Sequence, residues 1–256
     1  MKPALGRWLF RHDNIEQLHV IGCARSGTTM MHAAMTAFEN VAVYSEESAP
    51  AFPTLRPRVE VSRAFRRRKI PVSAQKYFVT KRAWGWFEAP ECELLLHRAR
   101  RENVGLINMV RDPRDVLLSR HPNFERARFV SVDFWRRSIE GSEWLRERLE
   151  PHGRFVTVRY EDVVNDPRAV ERALGDAFGL RLRPNASIDR VEDSLKTSGE
   201  TLDPAMAKAM HGVRNADSNS IGKWRTAADK PEEELLADPA AAPLFRDMVQ
   251  RYGYAS

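Results

Sequence analysis

A glycine-bracketed turn between an apolar run and a hydroxyl-rich helix start constrains this chain more than any other stretch. Residues 20–31 read VIGCARSGTTMM. The apolar run 18–21, broken by His19, predicts a strand. Gly22 and Gly27 bracket four residues, and Thr28 and Thr29 begin a helix that the apolar pattern carries to about Phe38. Strand, glycine loop and helix is the layout that wraps backbone N–H groups around a phosphate. The Gly22-to-Gly27 spacing is that of a Walker loop, but Thr28 stands in place of the Walker lysine and Arg25 puts a cation inside the loop instead. The plainer alternative is a strand-to-helix turn with glycines for tightness. The hydroxyl residues behind Gly27 favour the anion.

The rest of the chain alternates between strand and helix patterns. Strands are expected at 41–44, at 77–80 ending at Lys81, at 104–110 and at 155–158. The 104–110 run is apolar except for Asn108, as a central parallel strand requires. Helices are expected at 90–101, after Asp112 as cap with Pro113 in its first position, at 132–150, after Asp166 and Pro167, and at the C-terminus around Leu244, Phe245, Met248 and Val249. In the 132–150 helix, Val132, Trp135, Ile139, Leu145 and Leu149 share one side. Residues 1–17 read as a lead-in and 216–223 as a polar loop. The pattern predicts an α/β fold, a single domain over 1–256, with a mainly parallel central sheet, helices on both faces and a P-loop NTPase-like layout. Ligands of such sheets sit beyond the carboxyl ends of the strands. That places the loop, Glu46 and Glu47, Lys81, Arg111 and Tyr160 around one crevice.

Composition narrows the partners. Hydrophobic residues make up 43% of 256, which argues against disorder. A net charge of +6 favours phosphate-bearing or sulfated ligands without separating them from nucleic acid. The two cysteines, Cys23 and Cys92, form no metal-binding or disulfide framework, and Cys23 reads as a small buried residue. With no signal-peptide pattern and no run long enough to span a membrane, the expectation is a cytoplasmic, soluble protein. The basic stretch from Arg56 to Lys69 is either a solvated face or a holder of an acidic acceptor.

Four separated pieces then occur in order: CARSGTT at 23–29, VRDPRDVLLS at 110–119, RYEDVVNDP at 159–167 and IGKWR at 221–225. Together they resemble the sulfotransferases that use 3′-phosphoadenosine 5′-phosphosulfate (PAPS) and release 3′,5′-bisphosphoadenosine (PAP). The resemblance implies that Arg25, Ser26, Gly27, Thr28 and Thr29 cradle the 5′-phosphosulfate. It implies that Arg111 and Ser119 contact the 3′-phosphate, that Tyr160 lies on the adenine side, and that Lys223, Trp224 and Arg225 fold over the nucleotide. Each has a bland alternative: an ion pair of Arg111 with Asp112 or Asp115, a helix-surface serine, a core tyrosine with a bonded hydroxyl. No metal is expected, because sulfuryl transfer lacks the charge that a triphosphate imposes.

The expected base is Glu46, with Glu47 the alternative one register away and a solvated loop or helix cap the plainer reading of the pair. The histidine that many cytosolic sulfotransferases carry two places after the strand-end lysine is here Ala83. The tyrosylprotein branch instead resembles this chain in following RSGTT with paired acids, here Glu46 and Glu47, and then a strand-end lysine, here Lys81. A carboxylate near bound sulfate has its proton affinity raised by like charge, which suits a base near neutral pH. His97, within a helix, is the rival. Lys81 and Arg25 are expected to stabilise leaving-group charge. Trp84, Trp86 and Phe87 line an acceptor pocket or belong to the core, and the acceptor is a small molecule, glycan or peptide. The alternatives are a P-loop nucleotide kinase or NTPase, and a PAPS-binding protein without turnover.

Overall fold

The computed structural model describes residues 16–39, 41–43, 77–83, 89–101, 104–120, 128–193 and 215–254. Its strands are β1 (Glu16–Gly22), β2 (Val41–Val43), β3 (Tyr77–Lys81), β4 (Val104–Val110) and β5 (Phe155–Arg159). Its described helices are α1 (Thr28–Ala34), α2 (Ala89–Arg101), α3 (Pro113–Leu118), α4 (Val132–Leu149), α5 (Tyr160–Asn165), α6 (Pro167–Phe178), α7 (Pro231–Ala237) and α8 (Ala241–Tyr252).

Every residue of β4 is buried, which is what its unbroken apolar run requires. It pairs with β1 on one side and β5 on the other, and β1 pairs in turn with β3 and β3 with β2. All pairings are parallel, giving the strand order β2-β3-β1-β4-β5. Register sets Val20 opposite Lys81 and Gly22 opposite Met109. The glycine loop, Lys81 and Arg111 therefore leave the sheet at the same edge.

Alternating side chains fill both faces. Leu18, Val20, Ile107, Met109 and Val158 pack with α1, α5 and α6. Ile21, Val104, Leu106 and Phe155 meet Leu95 and Ala99 of α2 and Leu145 and Leu149 of α4 on the other face. Trp135 and Ile139 of α4 extend that layer to Val116, Leu117, Leu235, Phe245 and Met248. His19, inside β1, is wholly buried and bonds Thr80 Oγ1 through Nδ1 at 2.7 Å. Burial, then the charge of Arg82, lowers its pKa to about 3, so the ring is neutral.

Several boundaries differ from the sequence expectation. The first helix stops at Ala34 and tightens into a 3-10 turn over Met35–Ala37. Phe38, where the apolar pattern ends the helix, leaves in an extended conformation and bridges Leu182. β1 starts at Glu16, earlier than the lead-in reading allowed, and the Gln17 amide donates to Thr80 Oγ1 at 3.1 Å. β5 runs directly into α5, and Pro231 opens α7 ahead of three glutamates; neither helix was expected. No helix among the described residues is long and apolar enough to cross a membrane.

Candidate functional site

The loop holds its shape through backbone freedom at its two glycines. Gly22 has φ +141°, and a Cβ there would overlap the carbonyl oxygen of Met109 in β4. Gly27 has φ +96°, and a Cβ would come within 2.8 Å of the Tyr160 ring. Between them Ser26 is turned inward, its hydroxyl donating to the Cys23 carbonyl at 2.7 Å. Thr28 is buried. Cys23 is buried as expected, and burial pushes its thiol pKa up to about 12, which makes it a packing residue and not a nucleophile.

Lys81, at the end of β3, donates to Thr29 Oγ1 at 3.0 Å. Arg25 goes the other way. Its Nε donates to Ser119 Oγ at 2.9 Å and its Nη2 to the Arg120 carbonyl at 2.8 Å. Ser119 is the C-cap of α3, not a residue of the helix surface. Arg111, one residue past β4, is 8% exposed and donates Nη1 to the Arg25 carbonyl at 3.2 Å and Nη2 to the Ser220 carbonyl. The sequence-expected cations at the two ends of the loop are thus brought together, but Arg25 lies with Ser119 rather than beside Lys81.

Asp115 and Glu161 lie close enough to feel the Arg111 charge, but their hydrogen bonds go to backbone N–H groups and not to its guanidinium. Asp112 caps α3 by accepting from the Arg114 backbone N–H at 2.9 Å, and also takes a two-pronged bond from the Arg114 guanidinium, Nε–Oδ1 3.0 Å and Nη2–Oδ2 2.9 Å. Arg114 is fully buried, reaches Glu232 at 3.2 Å and lies over the Trp224 ring at 3.5 Å. Burial alone would lower its pKa, but the bonds to Asp112 and Glu232 outweigh that and hold it raised. Asp115 accepts from the backbone N–H groups of Gly222 at 2.7 Å and Trp224 at 3.2 Å. Burial raises the Asp115 pKa, partly offset by those N–H donors and by Arg111.

Residues 215–226 form a strap over this edge, shaped by 3-10 turns at Ser218–Ser220 and Lys223–Arg225. Besides Asp115 and Arg111, it is tied by Tyr160, whose hydroxyl exchanges bonds with the Asp217 N–H and carbonyl, each 3.3 Å. The Arg111 guanidinium sits 4.8 Å from the Tyr160 ring centroid. Lys223 and Arg225 are exposed, and Arg225 is 4.9 Å from the Trp224 ring centroid.

Two charged residues of the site, Arg114 and Asp115, were missed as organisers of the strap. In the sequence Asp115 reads as a helix-start acid or an ion-pair partner of Arg111, and Arg114 carries no signal, because their strap partners and Glu232 lie more than a hundred positions away. Glu46, Glu47, Trp84, Trp86, Phe87 and the basic stretch 56–69 lie outside the described residues. His97 is exposed on α2. Among the described residues no group of His, Cys, Asp and Glu is placed to hold a metal ion.

Residues 74–184 match the profile of a family described as the sulfotransferase family. That stretch contains Lys81, Arg111, Ser119 and Tyr160, but neither the glycine loop nor the strap. Among solved structures, the sulfotransferase domain of the Synechococcus PCC 7002 olefin synthase superposes with a TM-score of 0.60 at 18% identity, over 94% of this chain and 95% of that one. The sulfotransferase domain of the curacin biosynthetic pathway gives 0.59 at 15% identity, over 94% and 98%. A mouse sulfotransferase complexed with PAP gives 0.54 at 12% identity, over 98% and 95%. No curated protein sequence matches the chain. The chain has the sulfotransferase fold.

Proposed function

We propose that the protein transfers a sulfuryl group from PAPS to an acceptor hydroxyl or amine. One observation carries the reading. Lys81, Arg25 and Arg111, from three separate strand ends, converge on the glycine loop, and the hydrogen bonds of both guanidinium groups go to neutral oxygens among the described residues. Two buried or half-buried guanidinium groups side by side are costly unless an anion joins them. Arg111 Nε is buried and has no hydrogen-bond partner among the described residues, which fits a phosphate-bearing ligand.

PAPS supplies an activated sulfuryl group on a phosphate leaving group. The backbone of Arg25, Ser26, Gly27, Thr28 and Thr29 would hold its 5′ end, with Lys81 balancing charge there. Arg111 and Ser119 would hold the 3′-phosphate, while Tyr160, Lys223, Trp224 and Arg225 would cover the adenosine. Glu46 is proposed as general base, on the local resemblance to the tyrosylprotein branch. It takes the acceptor proton as the acceptor oxygen or nitrogen attacks sulfur. The loop's likeness to a P-loop NTPase is part of the same reading, with Lys81 standing in for the missing Walker lysine.

Binding and turnover test it separately. In chelator, PAP and PAPS should bind at micromolar levels, about −8 kcal/mol, and stabilise the chain in thermal titrations. Stabilisation by ATP with magnesium, and by neither adenosine bisphosphate nor PAPS, would reject the reading in favour of a kinase or NTPase. An acceptor screen with labelled PAPS then supplies a substrate. With it, Glu46→Gln should lower single-turnover transfer by about 10²–10⁴-fold with nucleotide affinity little changed. Normal rates for that variant and for Glu47→Gln, with His97→Ala inactive yet folded, would remove Glu46 as base.

A further inference from the structure

We infer that Arg159, Glu161 and Tyr254 enclose a binding site for one buried water, through which the turn after the last helix braces the start of α3. None of the three side chains has a part in the nucleotide contacts proposed above.

The end of α8 brings a tyrosine to this place. Gly253 takes φ +63° and closes the helix, its N–H bonding the Val249 carbonyl. The Tyr254 N–H returns to the same carbonyl at 3.1 Å, the reversal with which glycine-terminated helices end. Tyr254 is thereby turned inward and buried in the layer that holds Val110, Val116 and Phe245. Its ring centroid lies 5.1 Å from the guanidinium carbon of Arg159, the last residue of β5. Glu161, two residues further on, is buried as well.

Among the described residues, three polar atoms at this junction are buried without a hydrogen-bond partner: Arg159 Nε, Glu161 Oε2 and the Tyr254 hydroxyl. Buried polar groups in folded proteins are paired, so three orphans on neighbouring side chains call for a shared partner. The three residues lie within electrostatic reach of one another. Burial and then the Glu161 charge raise the Tyr254 pKa, and Arg159 opposes them. Burial raises the Glu161 pKa too, and the Asp112 and Glu161 N–H groups and the Arg159 charge pull it back. The hydrogen-bonding capacities are complementary: Arg159 Nε–H only donates, a carboxylate oxygen only accepts, and a phenol does either. One water accepts from Arg159 and from the tyrosine and donates to Glu161. The Glu161 and Asp112 charges disfavour an anion here and the Arg159 charge disfavours a cation, which leaves a neutral ligand.

The consequence falls on Asp112. Glu161 Oε1 accepts from the Asp112 backbone N–H at 3.0 Å, and Asp112 is the cap of α3. A water that fixes Oε2 fixes the same carboxylate at Oε1. Tyr254 therefore acts on the start of α3 through Glu161, as a positioning residue.

A crystal structure of the full chain, with amide hydrogen exchange read by NMR, tests both parts. Electron density should show one water within about 3.2 Å of all three atoms. Tyr254→Phe keeps the ring and removes the hydroxyl. Exchange of the Asp112 amide should then speed up by about tenfold, while the amides of Leu106 and Ile107 in β4 change by less than about threefold. Arg159→Lys, which removes the Nε donor and keeps the charge, should give the same pattern, and carries the comparison if Tyr254→Phe does not fold. No water at the junction, or direct bonds among the three side chains, would overturn the site. An unchanged Asp112 amide, or equal acceleration at all three amides, would overturn the brace.

Discussion

The strand β4 and the strap of residues 215–226 meet at Arg111, and they are held by opposite means. β4 is buried along its whole length, between two parallel neighbours and two helical layers. The strap is mostly exposed. Ala216 and Ile221 pack on the core, but most of its ties are directional contacts: the Asp115 carboxylate, the Tyr160 hydroxyl, Arg111 and the face of Trp224 over Arg114. Apolar burial is non-directional and nearly indifferent to pH. A hydrogen bond near solvent nets only about 0.5–1.5 kcal/mol, since water replaces it, and somewhat more where one partner is charged. The floor of the crevice should therefore be rigid, and its cover removable without unfolding the chain.

The largest effect should come from the sheet. Leu106 is fully buried against α2 and α4. Leu106→Ala should cost about 2–5 kcal/mol through lost transfer energy and the cavity left behind. Denaturant titration would read it as a lower midpoint, with PAP affinity of the folded fraction unchanged. A loss under about 1 kcal/mol would contradict the claim that β4 anchors the fold.

Asp115→Asn should act on the strap alone. The amide keeps one acceptor oxygen but turns an NH₂ toward one of the two backbone N–H groups. Nucleotide affinity should fall by about 1.5–3 kcal/mol, the size of a charge-assisted bond, with a smaller change in unfolding free energy than for Leu106→Ala. Acid should mimic the substitution. The Asp115 pKa is raised by burial, so protonation begins above its ordinary value of 3.8. Below that window the carboxyl no longer accepts from both N–H groups, and wild-type affinity should drop while Asp115→Asn stays flat. Stability runs the other way at this residue. A raised folded pKa means that its contribution is fully present below 3.8 and is lost as pH rises through the folded value. Acidification that weakens binding in parallel with global unfolding, in both proteins, would show that Asp115 is not the strap's fastening.

The same division explains what could be read in advance. β4, the Asp112 cap and the loop glycines are local statements: an unbroken apolar run, an acid before proline, small residues at a fixed spacing. The structure places each as the sequence suggested. The strap is a long-range statement. Nothing in RDPRD says that its second aspartate will hold residues 222 and 224, or that its second arginine will lie under Trp224. The end of the first helix was legible to within a residue; what the sequence did not show is that its last turn tightens before Phe38 bridges Leu182. Two misses were legible. Glu161 and Asp162 occupy the first turn of α5, and Pro231 with three glutamates opens α7, both ordinary helix-start signals.

Tyr160 belongs to both regions and separates them with the smallest change. Its ring is buried in the core cluster, against Gly27 of the loop and beneath the Arg111 guanidinium, while its hydroxyl exchanges hydrogen bonds with the strap. The hydroxyl donates to the Asp217 carbonyl and accepts from the Asp217 N–H, each at 3.3 Å, long for an O–H donor and just past the usual N–H range, so the two bonds should contribute at the weak end. Tyr160→Phe should lower PAP affinity by about 0.5–1 kcal/mol and leave the unfolding midpoint nearly unchanged. Tyr160→Leu removes the ring as well. It should cost more in both measurements, because Arg111 loses its aromatic neighbour and the loop loses the surface that Gly27 accommodates. The ratio of the two variants measures how much of the proposed nucleotide site rests on the rigid floor and how much on its cover. A Tyr160→Phe defect as large as that of Asp115→Asn would mean that the strap hangs from the tyrosine, and the carboxylate would lose its place as the principal tie.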